Sequence, residues 1–167
     1  MNPLAQNHPT AARIAALLRA RGERIAVADG ASGGFVAASL LTVPGALDFF
    51  VGGGVVYSLR ARDVLFDLPR EAYKGMRGAS EDYVLLQARA IRDNFGADWG
   101  LAESGSVGGF SHPSGAPAGR SVAAIAGPNG FERTTLIETA SEDRIANMAA
   151  FARNALDLAE RALGAAP

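Results

Sequence analysis

The chain has 167 residues, 16 basic and 17 acidic side chains, a formal net charge of −1 and no cysteine, and 49% of it is hydrophobic. That length and apolar content suit one closed core. The balanced charge offers no field of one sign to nucleic acid or an anionic membrane, and the lack of thiols excludes disulfides, cysteine nucleophiles and thiolate metal sites.

Two histidines, His8 and His112, leave little for a metal, so neither a metal nor a cofactor is expected. Residues 1–9, MNPLAQNHP, lack the basic start and apolar segment of a secretory signal, and no run approaches the ~18 apolar residues of a membrane span. The expectation is a soluble cytoplasmic protein with one domain over 10–163, an N-terminal extension over 1–9 and a short tail over 164–167.

Residues 10–21 place Ile14, Leu17 and Leu18 on one face, start near Pro9-Thr10 and stop at Gly22, which predicts an amphipathic helix. Residues 24–28 read as a short strand. After it, Asp29-Gly30-Ala31-Ser32-Gly33-Gly34 is a small-residue turn, and the apolar run from Phe35 is a helix ending before Pro44. A turn between a strand and a helix N-terminus leaves backbone N–H groups free to bind an anion, so the ligand is expected there. Residues 49–57 are β-rich around Gly52-Gly53-Gly54, glycines that mark either a bent strand or an edge on which a ligand lies.

A short helix is predicted over 59–66, and Ser80-Glu81-Asp82 caps a helix of about four turns that closes at Gly96. Trp99 opens a strand and reads as a packing residue. Residues 105–119 are a loop by composition. Residues 121–126 and 133–138 are strands joined by the turn Gly127-Pro128-Asn129-Gly130. The last helix runs from Arg144 to about Leu163, with Ile145, Met148, Ala152 and Leu156 facing inward. Strands interleaved with helices and one hairpin indicate an α/β domain with a mixed sheet.

The box Ala28-Asp29-Gly30-Ala31-Ser32-Gly33-Gly34 resembles the A-E-S-x-T-G-G box of the CinA C-terminal domain family, whose active members are nicotinamide-mononucleotide amidases. Further matches follow in order: Val43-Pro44-Gly45-Ala46, the segment from Gly53 to Ser58, Ala79-Ser80-Glu81, Ser104-Gly105 and Pro117-Ala118-Gly119. The resemblance spans roughly residues 10–163. It implies a three-layer α/β/α sandwich with a mixed, mainly parallel sheet, a homo-oligomer, and a pocket for a small anionic ligand such as a pyridine nucleotide.

By the same resemblance the amidase uses a serine nucleophile, a lysine that activates it and a tyrosine that assists, the last two spaced Y-x-x-x-x-K. Tyr57 matches the tyrosine, but Arg62 stands at the lysine and Gly30 at the serine. An arginine stays protonated and cannot be the base, though its fork of donors can hold a carboxylate or phosphate. Ser32, where the family has threonine, is a phosphate-contacting or capping hydroxyl, or else a displaced nucleophile. Asp29 either orients a donor or satisfies the loop backbone.

Ser104-Gly105 matches the start of a second loop, T-G-x-A-G-P. In D-R-x-x-x-R, Arg144 matches the first arginine and Met148 replaces the second. The expected binding set is therefore Asp29, Gly30, Ala31, Ser32, Gly33, Gly34, Tyr57, Arg62, Ser104, Gly105 and Arg144. The expected function is a catalytically degenerate relative that binds without hydrolysing. The alternatives are an amidase with a rearranged site and a regulatory or structural partner of an active paralogue.

Overall fold

The computed structural model describes residues 2–167. In chain order the elements are α1 (Pro3–Arg21), β1 (Ile25–Asp29), α2 (Phe35–Leu41), β2 (Phe50–Val55), α3 (Leu59–Phe66), α4 (Glu81–Asn94), β3 (Trp99–Ser106), β4 (Arg120–Ala126), β5 (Glu132–Glu138) and α5 (Arg144–Ala165), with three short 3-10 turns between.

The five strands form one sheet in the order β2-β1-β3-β4-β5. β1 runs parallel to β2 and β3, whereas β4 is antiparallel to β3 and β5. The sheet is thus mixed and mainly parallel in strand direction, since β4 alone runs against the other four strands.

Alternation along the strands divides the core into two layers. Ile25, Val27, Trp99, Leu101, Ala123 and Ile125 pack against α1, α2 and α5. Ala26, Ala28, Ala102, Ala124 and Ala126 face α3 and α4. The second face is mostly alanine, which lets α4 come close: a Cβ on Gly100 would stand 1.9 Å from the Ala88 carbonyl oxygen. All five residues of β1 are buried, as a central strand covered on both faces requires.

Three expectations need correction. The first helix starts at Pro3, not near Thr10: Asn2 caps it by accepting from the Leu4 N–H, and it continues through Pro9. Its first turns are held by α2, since Asn7 is buried with Nδ2 donating to Ser39 Oγ at 3.1 Å, and His8 Nδ1 lies 2.9 Å from Thr42 Oγ1. The loop predicted from residue 105 begins after Ser106, because Gly105 and Ser106 still pair with Ser121 and Arg120. Ile145 is 73% exposed and does not face the core, whereas Ala152 and Leu156 do.

Trp99 is fully buried, edge-on to Phe131 with ring centroids 5.6 Å apart, and its Nε1–H donates to Glu23. The triple glycine belongs to an edge strand with a bulge: Ile25 pairs with Phe50 but Ala26 with Gly52, so Val51 is the extra residue. No helix among the described residues is long and apolar enough to cross a membrane.

Candidate functional site

β1, β2 and β3 are parallel, so their C-terminal ends share one edge of the sheet, where the 30–34 turn, Tyr57 and the 107–118 loop emerge. The β1–β3 register pairs Ala28 with Ala102. One step further, Asp29 and Glu103 stand side by side, both buried.

The two carboxyls organise the turn. Asp29 Oδ1 accepts from the Val36 N–H at 2.9 Å and Oδ2 from the Ala37 N–H at 3.1 Å, which caps α2. Glu103 Oε2 accepts from the Ser32 N–H at 2.8 Å and the Gly30 N–H at 3.2 Å. Its Oε1 accepts from Ser121 Oγ at 2.9 Å. Between them lies Ser32 Oγ, 2.8 Å from Asp29 Oδ1 and 2.7 Å from Glu103 Oε2. Burial raises both carboxyl pKa values above the ordinary range, against the lowering effect of these hydrogen bonds.

Four of the backbone donors at this strand–helix junction, Gly30, Ser32, Val36 and Ala37, therefore already serve carboxyls of the chain itself. Gly33 N–H also turns inward, to the Gly30 carbonyl. Ser32 is fully buried and does not cap α2; that position belongs to Gly34. Asp29 satisfies the helix backbone and holds the Ser32 hydroxyl at once.

Gly30 marks the closest approach. A Cβ there would lie 2.2 Å from the Glu103 carbonyl oxygen and 3.3 Å from Ser104 Cα. Real Cβ atoms do not come that near to a backbone oxygen, so the turn is seated on β3 in a way that only glycine permits. Ser104 and Gly105 are within the β3–β4 ladder, and Ser104 Oγ accepts from the Ala79 N–H at 3.2 Å.

Among the described residues no hydrogen bond joins Tyr57, Arg62 or Arg144 to the turn. Tyr57 is 81% exposed beyond the end of β2. Arg62 is buried on α3, its guanidinium 3.8 Å from the Tyr73 ring centroid and 3.3 Å from Asp63 Oδ1. Burial works to lower the Arg62 pKa, but the Tyr83 hydroxyl and Asp63 outweigh it and leave the group above its ordinary value. A guanidinium so placed is a permanent cation, not a base.

Arg144 donates to the Gly108 carbonyl at 3.1 Å. Met148, at the second arginine position of the family motif, sits against Gly33: a Cβ on that glycine would be 2.7 Å from its terminal methyl. Along the 107–118 loop, Ser106, Phe110, His112, Ala116 and Glu142 line an open cleft of about 440 Å³. Phe110 is 89% exposed there, and burial lowers the His112 pKa. Among the described residues no cluster of three or more His, Cys, Asp or Glu side chains could hold a metal.

Glu103 and Ser121 were not singled out in the sequence. The signal available was a lone acid inside the otherwise uncharged strand from Trp99 to Ser106.

Comparison with known proteins agrees with this architecture. A CinA-like protein of Parasynechococcus marenigrum strain WH8102 is 34% identical over 121 residues, 72% of this chain and 29% of its own length. A CinA-like protein of Anaeromyxobacter sp. strain K is 34% identical over 149 residues, 89% of this chain and 36% of its own. The chain thus spans only about a third of the length of these relatives. The crystal structure of the competence damage-inducible protein A (ComA) from Klebsiella pneumoniae subsp. pneumoniae MGH 78578 superposes with a TM-score of 0.87 at 27% identity, covering 96% of this chain and 99% of that one. A second Klebsiella pneumoniae protein of the CinA superfamily, from strain 700603, gives 0.85 at 27% identity over 98% and 99%. The CinA C-terminal domain model matches residues 7–163, and with the fold and these relatives in agreement, the chain belongs to the CinA C-terminal domain family.

Proposed function

We propose that this chain is a non-hydrolysing member of its family, which binds a small nucleotide or other anionic ligand at the C-terminal edge of the sheet without cleaving it. The observation that carries the reading is Gly30: the nucleophile position has no side chain, and the space for one is filled by the Glu103 carbonyl. Ser32 is no substitute, since a fully buried hydroxyl cannot reach a substrate carbonyl at attack distance. Arg62 cannot deprotonate a nucleophile.

With the Gly30, Ser32 and Gly33 N–H groups occupied, the binding groups are those on the rim: Tyr57, and Ser106, Phe110 and His112 in the cleft beside the 107–118 loop. The two exposed aromatic rings suit a planar base or pyridine ring. Ammonia release from nicotinamide mononucleotide and calorimetry with nicotinamide and nicotinate mononucleotides test both halves. The expected result is heat without ammonia. Turnover at an enzymatic rate overturns the first half, and no heat at millimolar ligand overturns the second.

A second reading, a subunit that assembles through the β2 edge, is favoured by a separate observation. Of the nine large hydrophobic residues exposed among the described residues, six lie between positions 41 and 64: Leu41, Leu47, Val55, Tyr57, Leu59 and Val64. They flank an edge strand that carries no charge and no proline, the usual protections of such an edge. Light scattering of the wild type against Val55→Lys tests this. A dimer or larger assembly reduced to monomer by the lysine supports it, and a wild-type monomer removes it.

A further inference from the structure

The contacts around Ser32 set a problem in proton counting. A hydroxyl has one proton, yet Ser32 Oγ lies within hydrogen-bond distance of two carboxyl oxygens, Asp29 Oδ1 at 2.8 Å and Glu103 Oε2 at 2.7 Å. If both acids were ionised, one contact would set a hydroxyl lone pair against a buried anion. One added proton removes the conflict: one carboxyl donates to Ser32 Oγ, and the Ser32 hydroxyl donates to the other.

No neighbouring charge offers another way out. Among the described residues no basic side chain bonds to either acid; the other donors are the N–H groups of Gly30, Ser32, Gly34, Val36 and Ala37, and the Ser121 hydroxyl. α2 and β2 carry no ionisable side chain. On β4, Arg120 pairs with Glu138, and on α5, Arg144 donates to Gly108 while neutral Asn147 bonds to Val107 and Ser141. On α4, Arg89 pairs with Glu132 and Arg92 with Asp93, and Glu81 and Asp82 lie exposed at its start. In the 107–118 loop, His112 bonds to Ser114.

We propose that Asp29, Ser32 and Glu103 form a one-proton latch: a single proton held along the carboxyl–hydroxyl–carboxyl path keeps the 30–34 turn closed on β3, and its loss releases the turn. The proton belongs to the pair rather than to one acid. The closed state carries one negative charge; the deprotonated state would carry two beside each other in a site closed to water, and hydrating them requires the Gly30 and Ser32 N–H bonds to Glu103 to part. The latch rests on this geometry alone. A positive ammonia assay would leave it standing.

Two measurements on the full chain test it. Infrared spectra at neutral pH should show the C=O band of a protonated, buried carboxyl, lost in Glu103→Gln, where Asp29 alone ionises as the cap of α2. No such band in the wild type overturns the latch without recourse to any variant, and so does a band that Glu103→Gln retains. Amide hydrogen exchange reads the motion. Opening coupled to release of one proton makes protection at Gly30 and Ser32 fall by about tenfold per pH unit beyond the intrinsic base dependence. The Ala123 and Ala124 amides of β4 should lack this excess, and Glu103→Gln should abolish it at the turn. Equal slopes at the turn and in β4 overturn the proposal.

Discussion

Gly30 and Glu103 meet backbone to backbone: a Cβ on the glycine would stand 2.2 Å from the glutamate's carbonyl oxygen. Placing a serine at position 30 is therefore not a local change. In Gly30→Ser, the new Cβ must push the turn off β3 or bend a central strand, and either route disturbs the N–H bonds to Glu103. The expected outcome is a loss of about 1–3 kcal/mol in urea unfolding, the usual cost of overpacking. Neither this variant nor Gly30→Ser with Arg62→Lys is expected to release ammonia from nicotinamide mononucleotide. Appreciable turnover by the double variant would show that the turn relaxes into a working site.

Glu103 is hydrogen-bonded to four buried groups, the N–H groups of Gly30 and Ser32 and the hydroxyls of Ser32 and Ser121. Glu103→Ala strands them and should cost about 2–4 kcal/mol, as buried donors left without partners do. Glu103→Gln keeps the shape and can still accept from the turn, while its amide donates to Ser121 Oγ. The glutamine variant should thus unfold much nearer to the wild type than the alanine variant does. Similar losses in both would mean that the carboxyl's charge, not its shape, holds the turn.

The pH dependence has a definite sign. Burial raises the folded-state pKa of Asp29 and Glu103, so between the unfolded carboxyl range and the folded values the native state binds more protons than the unfolded one. Their contribution is complete below about pH 4, the unfolded range, and is lost as pH rises through the raised folded values. Wild-type stability should decline relative to Glu103→Gln as pH rises from about 4. Urea unfolding of both proteins at several pH values checks this, and a wild type that gains on the variant with rising pH would contradict the raised values.

Arg62 and Tyr73 make an opposed pair of expectations. The Tyr73 hydroxyl is buried without a partner, and burial pushes its pKa up to about 12. Tyr73→Phe deletes an unsatisfied group while keeping the ring beneath the guanidinium, so stability should be unchanged or higher by up to about 1 kcal/mol. Arg62→Lys loses the planar stack and should cost about 1 kcal/mol. A marked loss in the phenylalanine variant would reveal a partner for the hydroxyl.

How far the sequence reveals this molecule depends on the range over which its signals act. The turn from Asp29 to Gly34, the start of α4 at Ser80 and the Gly127–Gly130 turn are local chemistry, and their elements are where the pattern puts them. Glu103 is different. It reaches the turn only because β1 and β3 pair in parallel with Ala28 opposite Ala102, a register that joins residues 74 positions apart and that no local spacing encodes. The same holds for Arg62, whose Y-x-x-x-x-K spacing suggests a pocket while the fold turns it under Tyr73. Pro9 misled in the opposite sense: it reads as a helix start, yet contacts with α2 carry the helix through it.

That N-terminal segment gives the last prediction. Read from sequence, residues 1–9 stand apart as an N-terminal extension to the domain. In the structure Asn7 is 2% exposed and donates to Ser39 Oγ, which itself donates to the Phe35 carbonyl in the first turn of α2. The first turns of α1 thus brace the helix that leaves the 30–34 turn. Asn7→Ala should cost about 1–2 kcal/mol, since it removes a buried hydrogen bond and its packing, which at this chain length lowers Tm by roughly 2–8 °C. A chain starting at Thr10 should lose at least as much, and its Gly30 and Ser32 amides should exchange faster than those of the full chain. A truncated protein with unchanged Tm would mean that the contacts to Ser39 and Thr42 contribute nothing to stability, and that α2 is positioned by the sheet and α5 alone.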